Sequence, residues 1–206
     1  MKRLFFLLLL ALFVTTTSPY AQVQFGVKAG LHISHVDELL SNKDLEGFLI
    51  EENAVKAAPQ LGLMMSVPLT QRINLQPELL WTRKNWQHKE FKDGLRFDYL
   101  SLPVLFGYQA GNWRLNLGPE LTFLMDQRFT NGNGKSPFVQ EKNLGVAANL
   151  GVQYHLNHWI VGLRANRDLN DFQSITLTDV NGTSIVDLKY YHQGLTLWVG
   201  YQLAQQ

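Results

Sequence analysis

The sequence predicts an all-β protein, an eight-stranded antiparallel up-and-down transmembrane β-barrel. Three observations predict it. Eight runs alternate apolar and polar residues with a period of two, the connections between them are alternately short and long, and the central part of the apolar phase contains no Asp, Glu, Lys or Arg. Composition agrees. Of 206 residues, 46% are hydrophobic and only 17% charged, which is lean for a soluble domain. A mean hydropathy of −0.10 is nevertheless far from that of a helical membrane protein. The absence of cysteine excludes a disulfide framework, a thiolate metal site, a cysteine nucleophile and a lipid-modified N-terminal cysteine. A formal charge of +1 gives no reason to expect a nucleic-acid partner.

The chain begins with Lys2 and Arg3, an apolar run from Leu4 to Val14, a Thr15–Ser18 polar stretch, and Pro19-Tyr20-Ala21. This is the layout of a secretory signal peptide, with an apolar run too short to span a bilayer. Residues 1–21 are therefore expected to be a signal peptide cut after Ala21, and residues 22–206 the barrel domain. Removing Lys2 and Arg3 turns 18 basic and 17 acidic residues into a mature net charge of −1.

The first strand is predicted from Val23 to Ile33, where Val23, Phe25, Val27, Ala29, Leu31 and Ile33 interleave with Gln24, Gly26, Lys28, Gly30 and His32. The same pattern recurs over Ala57–Leu69, Ile73–Trp81, Leu100–Tyr108, Trp113–Phe123, Leu144–Tyr154, Trp159–Ala165 and Leu195–Leu203. Most of these runs have the length a tilted strand needs to cross a bilayer. Residues 70–72, 109–112 and 155–158 are tight connections, whereas 35–56, 83–97, 125–143 and 170–189 are long and polar. All tight turns thus fall at one end and all long loops at the other, as in barrels with periplasmic turns and extracellular loops. Asp37 to Glu52 has room for a short helical turn. Lys43, Glu51, Lys84, Lys89, Glu90 and Asp93 are among the charges assigned to a solvated loop surface. Asn131-Gly132-Asn133-Gly134 and Asn181-Gly182 are read as loop-tip turns.

The apolar phase is expected to face lipid. In that phase charges appear only near the loop end, at Arg83 and Arg167. Tyr108 and Trp113 flank one tight turn, Tyr154 and Trp159 another, and Tyr201 falls at a similar level, which predicts an interfacial aromatic girdle. Trp81 and Phe123 would belong to the opposite belt. The other phase places Lys28, Glu78, Glu120 and Arg164 in the lumen together with Asn149. Two positive and two negative charges cancel, and an eight-stranded barrel is just wide enough for side chains to fill. They are expected to form a hydrogen-bonded, ion-paired plug. Acid–base catalysis by Glu78 and Glu120 is disfavoured, because basic partners favour ionised carboxylates where a general acid must carry a proton. Pro59, Pro77, Pro103 and Pro119 fall inside the runs and remove ladder donors. At least one bulge is expected to absorb them.

The stretches "VPLTQRINLQPELLWTRKN", "YLSLPVLFGY", "LNLGPELTFLM" and "NLGVAANLGVQYHL" resemble the PorT-type outer-membrane β-barrel domain family of Gram-negative bacteria. Leu75–Leu80, Tyr99–Pro103 and Gly118-Pro119-Glu120 carry the likeness in the right order, over nearly all of residues 22–203. The resemblance implies a small outer-membrane barrel and makes the strand prolines family features. The family's name-giving members act in a protein secretion and gliding apparatus, while most members have no assigned activity; a link to envelope assembly or protein secretion is expected on that ground alone. One departure is the ending Tyr201-Gln202-Leu203-Ala204-Gln205-Gln206, where such barrels usually finish on an aromatic residue read by the outer-membrane assembly machinery.

No enzyme activity and no cofactor are expected. A lipid-modifying barrel enzyme would need a base within reach of a nucleophile, and His32, Ser34 and His192 are the nearest candidates. The pairs His32/His35 and His155/His158 lack carboxylates at metal-ligand spacing, so no metal site is expected. The reading is a monomeric outer-membrane protein surrounded by lipid, with a structural or interaction role and an envelope protein partner met through loops 35–56 and 125–143. A narrow porin-like channel is the alternative, followed by the lipid-modifying enzyme and a soluble lipocalin-like carrier with an apolar lumen.

Overall fold

In an extended chain successive side chains point to opposite faces, so a run that alternates apolar with polar residues can bury one face and give the other to lipid. The computed structural model, which describes residues 22–40, 56–87, 94–129, 143–171, 173–178 and 184–203, has all eight predicted runs in strands. These are β1 (Gln24–Leu40), β2 (Lys56–Pro68), β3 (Ile73–Gln87), β4 (Gly94–Ala110), β5 (Trp113–Phe129), β6 (Leu144–Leu156), β7 (Trp159–Asp168) and β9 (Ser184–Gln202). A short β8 (Gln173–Thr178) was not predicted. Every pairing is antiparallel, neighbours follow chain order, and β1 closes the wall against β9. The barrel still has eight places. β7 pairs with β9 from Trp159↔Tyr201 to Arg167↔Gln193, and β8 resumes the same flank of β9 from Gln173↔Tyr190.

Strands continue into all four segments predicted as long loops. β1 reaches Leu40, β3 and β4 leave only residues 88–93 between them, β5 runs to Phe129, and the last segment contains β8 and the start of β9. Above a lipid belt neither face need be apolar, so the period-two signal fades while the ladder hydrogen bonds go on. The proposed helical turn within Asp37–Glu52 begins in β1, and its remainder lies outside the described residues, as do the Asn-Gly tips at 131–134 and 181–182 and the segment 1–21.

At the other end the connections are tight. Ala110 pairs with Trp113 and Leu156 with Trp159, leaving two-residue turns whose first residues, Gly111 (φ 61°) and Asn157 (φ 55°), are left-handed. Glycine and asparagine are the residues that tolerate this conformation best.

The expected bulge at a proline is not found. The ladder instead skips two residue pairs beside each of three prolines and keeps the same register on both sides. Between β2 and β3 it jumps from Met64↔Glu78 to Val67↔Leu75 at Pro77. Between β3 and β4 it jumps from Pro77↔Val104 to Leu80↔Ser101 at Pro103, and between β4 and β5 from Pro103↔Glu120 to Phe106↔Leu117 at Pro119. A ring nitrogen without a hydrogen can be accommodated by omitting its bond, with no extra residue needed. The register shifts lie elsewhere among the described residues, at Asp98/Tyr99, where Met125 of β5 is the surplus residue, and at Leu177/Thr178, where Ile185 of β9 is.

The apolar phase points out. Leu31, Leu63, Leu117, Leu150, Leu163 and Leu197 are all exposed, and polar residues occupy the interior. A belt of this size on the outside of a folded chain is a surface for lipid. The lipocalin-like arrangement, with apolar side chains lining the lumen, is not the one adopted.

Candidate functional site

The candidate site is the barrel interior, built from the inward phase of each strand. Lys28 of β1, Glu78 of β3, Glu120 of β5, Asn149 of β6 and Arg164 of β7 are all buried there. Glu78 is the hub. Arg164 grips it with two parallel hydrogen bonds, Nη1 to Oε2 and Nη2 to Oε1, each 2.7 Å. Lys28 Nζ donates to Oε2 at 3.2 Å and Gln76 Nε2 to Oε1 at 2.7 Å. A planar guanidinium matches both oxygens of a carboxylate, whereas an ammonium acts as a point charge. Glu120 accepts from Asn149 Nδ2 at 2.9 Å. The two carboxylates therefore have different partners, and only Glu78 has both cations bonded to it.

Below this layer the lumen has a small apolar floor that sequence phase did not single out. Trp198 falls in the polar phase of β9, between Thr196 and Gly200, and packs inward with Met64 and Ile160. Lys28 Nζ lies 4.0 Å from the Trp198 ring centroid, a cation–π contact. Gly162 makes the room, because a Cβ there would come within 2.3 Å of the indole. The sequence signal was an aromatic out of step with Leu195, Leu197, Val199 and Tyr201.

Above it lies a second charged storey, also missed. Lys84 belongs to β3 and is buried, not a loop charge as predicted; its Nζ is 3.6 Å from Asp168 Oδ1. Asp168 Oδ2 accepts from the His192 amide at 3.2 Å. Phe97 and Tyr99 rings meet the His192 ring at 6.0 and 6.2 Å. Lys84 continues the inward series Asn74, Gln76, Glu78, Leu80, Thr82, which was the available signal. Nearer the surface, Arg83 Nε donates to Asp98 Oδ1 at 2.8 Å and Arg96 Nε is 3.4 Å from Asp98 Oδ2.

The histidine–serine candidates are placed apart in their bonding. His32 Nδ1 is 2.8 Å from Thr196 Oγ1, while Ser34 Oγ donates to the Asn85 carbonyl at 3.3 Å. His155 Nε2 is 3.1 Å from Gln153, and exposed His158 stacks near Tyr201 at 5.9 Å. Among the described residues no group of three His, Cys, Asp or Glu side chains could hold a metal ion.

The five girdle residues gather at the tight-turn end. Trp113 meets Tyr154 at 4.7 Å between centroids and Trp159 meets Tyr201 at 5.0 Å. Tyr108, Trp113 and Trp159 are about half exposed, as rings seated among headgroups require. Trp81 lies eight residues beyond Ile73 on β3, away from the tight-turn end, with the Arg83 guanidinium 4.8 Å from its ring and Phe123 two strands along the same row through Leu100.

No curated protein shows a significant sequence match to the chain. Among solved structures, the barrel is similar to Neisserial surface protein A, with a TM-score of 0.51 and 10% identity over 88% of this chain and 99% of that one. It is also similar to the outer membrane protein AlkL in lipid bilayers, with a TM-score of 0.50 and 12% identity over 93% and 95% of the two chains. At such identities these likenesses concern the fold. Sequence supplies the rest: residues 17–174 match the outer membrane protein beta-barrel domain, and with the closed eight-stranded wall and its lipid-facing belt this shows that the chain belongs to that family of outer-membrane barrels.

Proposed function

We propose that this protein is a structural and interaction component of the outer membrane whose lumen is closed by its own side chains and whose contacts are made at the loop end. The observation that carries this reading is the Glu78 hub, in which groups from β1, β3 and β7 meet on one carboxylate within 3.2 Å. Eight strands enclose little more volume than their inward side chains occupy. In this reading the barrel is a monomer without catalytic role or cofactor, held by lipid, inserted by the outer-membrane assembly machinery, and joined to an envelope protein through loops 35–56 and 125–143. The PorT-type resemblance supports a place in envelope assembly or protein secretion. Planar-bilayer recording of the purified barrel tests it: conductance at background is expected, and stable single-channel openings overturn it.

A narrow porin-like channel is the second reading. It is favoured by buried polar atoms such as His32 Nε2, Asn116 Oδ1, Asn149 Oδ1 and Asn166 Oδ1, which have no hydrogen-bond partner from the protein. Such atoms suit a file of water, and the same recording separates the two.

A further inference from the structure

The outer face of the wall carries a groove of about 510 Å³ across β5, β6, β7, β9 and β1. Its construction follows from the register. Leu117, Leu150, Ala165, Leu195 and Ile33 lie opposite one another in register as one row across these five strands. The next outward row, nearer the loops, reads Ala148, Arg167, Gln193 and His35. Two alanines lie diagonally across β6 and β7, one in each row, so the belt is dented where Ala148 and Ala165 replace leucine-sized side chains. The polar row caps the dent. Arg167 stands eight residues above Trp159 on β7. At about 3.3 Å per residue and a tilt near 40°, that is roughly 20 Å along the axis, close to the far edge of an apolar band about 25 Å tall. A guanidinium on the lipid-facing surface at that height meets headgroups.

We propose that this groove binds a phosphorylated, acylated lipid of the outer leaflet, with an acyl chain lying over Ala165 and Ala148 and the phosphate on Arg167. Gln193 and His35 flank the arginine in the same row and supply polar groups for the rest of the headgroup. The chemistry is complementary at both ends: a dent among leucines suits a hydrocarbon chain, and a guanidinium presents a planar fork to a phosphate. The site is on the outside of the wall and does not depend on whether the lumen conducts.

Native mass spectrometry of the detergent-purified full barrel with bisphosphorylated lipid A tests the assignment, using heat-dependent gel mobility to verify folding of each variant. The wild-type barrel is expected to retain one lipid. Arg167→Gln should weaken retention about tenfold, of the order expected for losing a charge-assisted contact, and lipid A lacking phosphates should bind the wild type equally poorly. Ala165→Phe fills the dent on an exposed position and should abolish retention while leaving the barrel folded. Equal retention by wild type and Arg167→Gln, equal retention of phosphorylated and dephosphorylated lipid, or undiminished binding to folded Ala165→Phe would each overturn the proposal.

Discussion

The central layer of the lumen and the storey above it are both closed by buried charges, yet they are built differently. At the centre, Glu78 uses both oxygens, receives two short bonds from Arg164 and is met again by Lys28 and Gln76. In the upper storey, Lys84 and Asp168 approach to 3.6 Å, and the second carboxylate oxygen is held by a backbone amide. Beside this pair stand aromatic rings, Phe97, Tyr99 and His192, packed edge to face or tilted, with Thr122 and Asn170 next to them. What differs is how much of each charge is matched by directed bonds. A buried pair adds little net stability over an apolar replacement, but removing one partner leaves the other charge uncompensated. The centre therefore has far more to lose from a single change than the upper storey has.

The largest effect should come from Glu78→Leu, which strands Lys28 and Arg164 together. A loss of about 3–5 kcal/mol is expected, read as a lowered denaturation midpoint of the barrel in detergent. Pairing it with Arg164→Met should recover part of that loss, with a coupling of about 1–3 kcal/mol; strict additivity would mean that the two side chains do not act together. Lys84→Met comes next. Asp168 keeps its backbone donor, so the cost should be smaller, roughly 1–3 kcal/mol, and a loss equal to that of Glu78→Leu would erase the distinction between the storeys. Arg128→Ala sets the floor. Its pair with Asp126 is largely exposed, and such pairs contribute about 0–1 kcal/mol.

Much of this architecture was legible in the sequence, for a physical reason. Lipid on one side and a polar lumen on the other impose a strict alternation, and runs such as Leu195, Leu197, Val199, Tyr201 display it directly. The same logic sorted Lys28, Glu78, Glu120 and Arg164 into one phase. It did not say who bonds to whom, because that depends on tilt and stagger around the closed wall. Arg164 reaches Glu78 from 86 residues away, while Glu120 takes Asn149 as its hydrogen-bond donor. Lys84 and Asp168 escaped because they sit where the apolar phase ends and a strand resembles a loop. The prolines escaped differently: Pro77, Pro103 and Pro119 announce lost donors, but only the ladder reveals that the register is unchanged beside them.

The length of β9 bears on what can reach this protein from outside the cell. It has 19 residues and stays paired with β1 as far as Leu40↔Leu188. About ten residues suffice to cross the hydrocarbon. The remainder, at about 3.3 Å per residue and a similar tilt, rises roughly 20 Å beyond it. β8 buttresses the same stretch from the other side. An approaching macromolecule therefore encounters a sheet-like ridge clear of the headgroups, whose backbone is already paired and so costs less ordering entropy on association than an unpaired loop does.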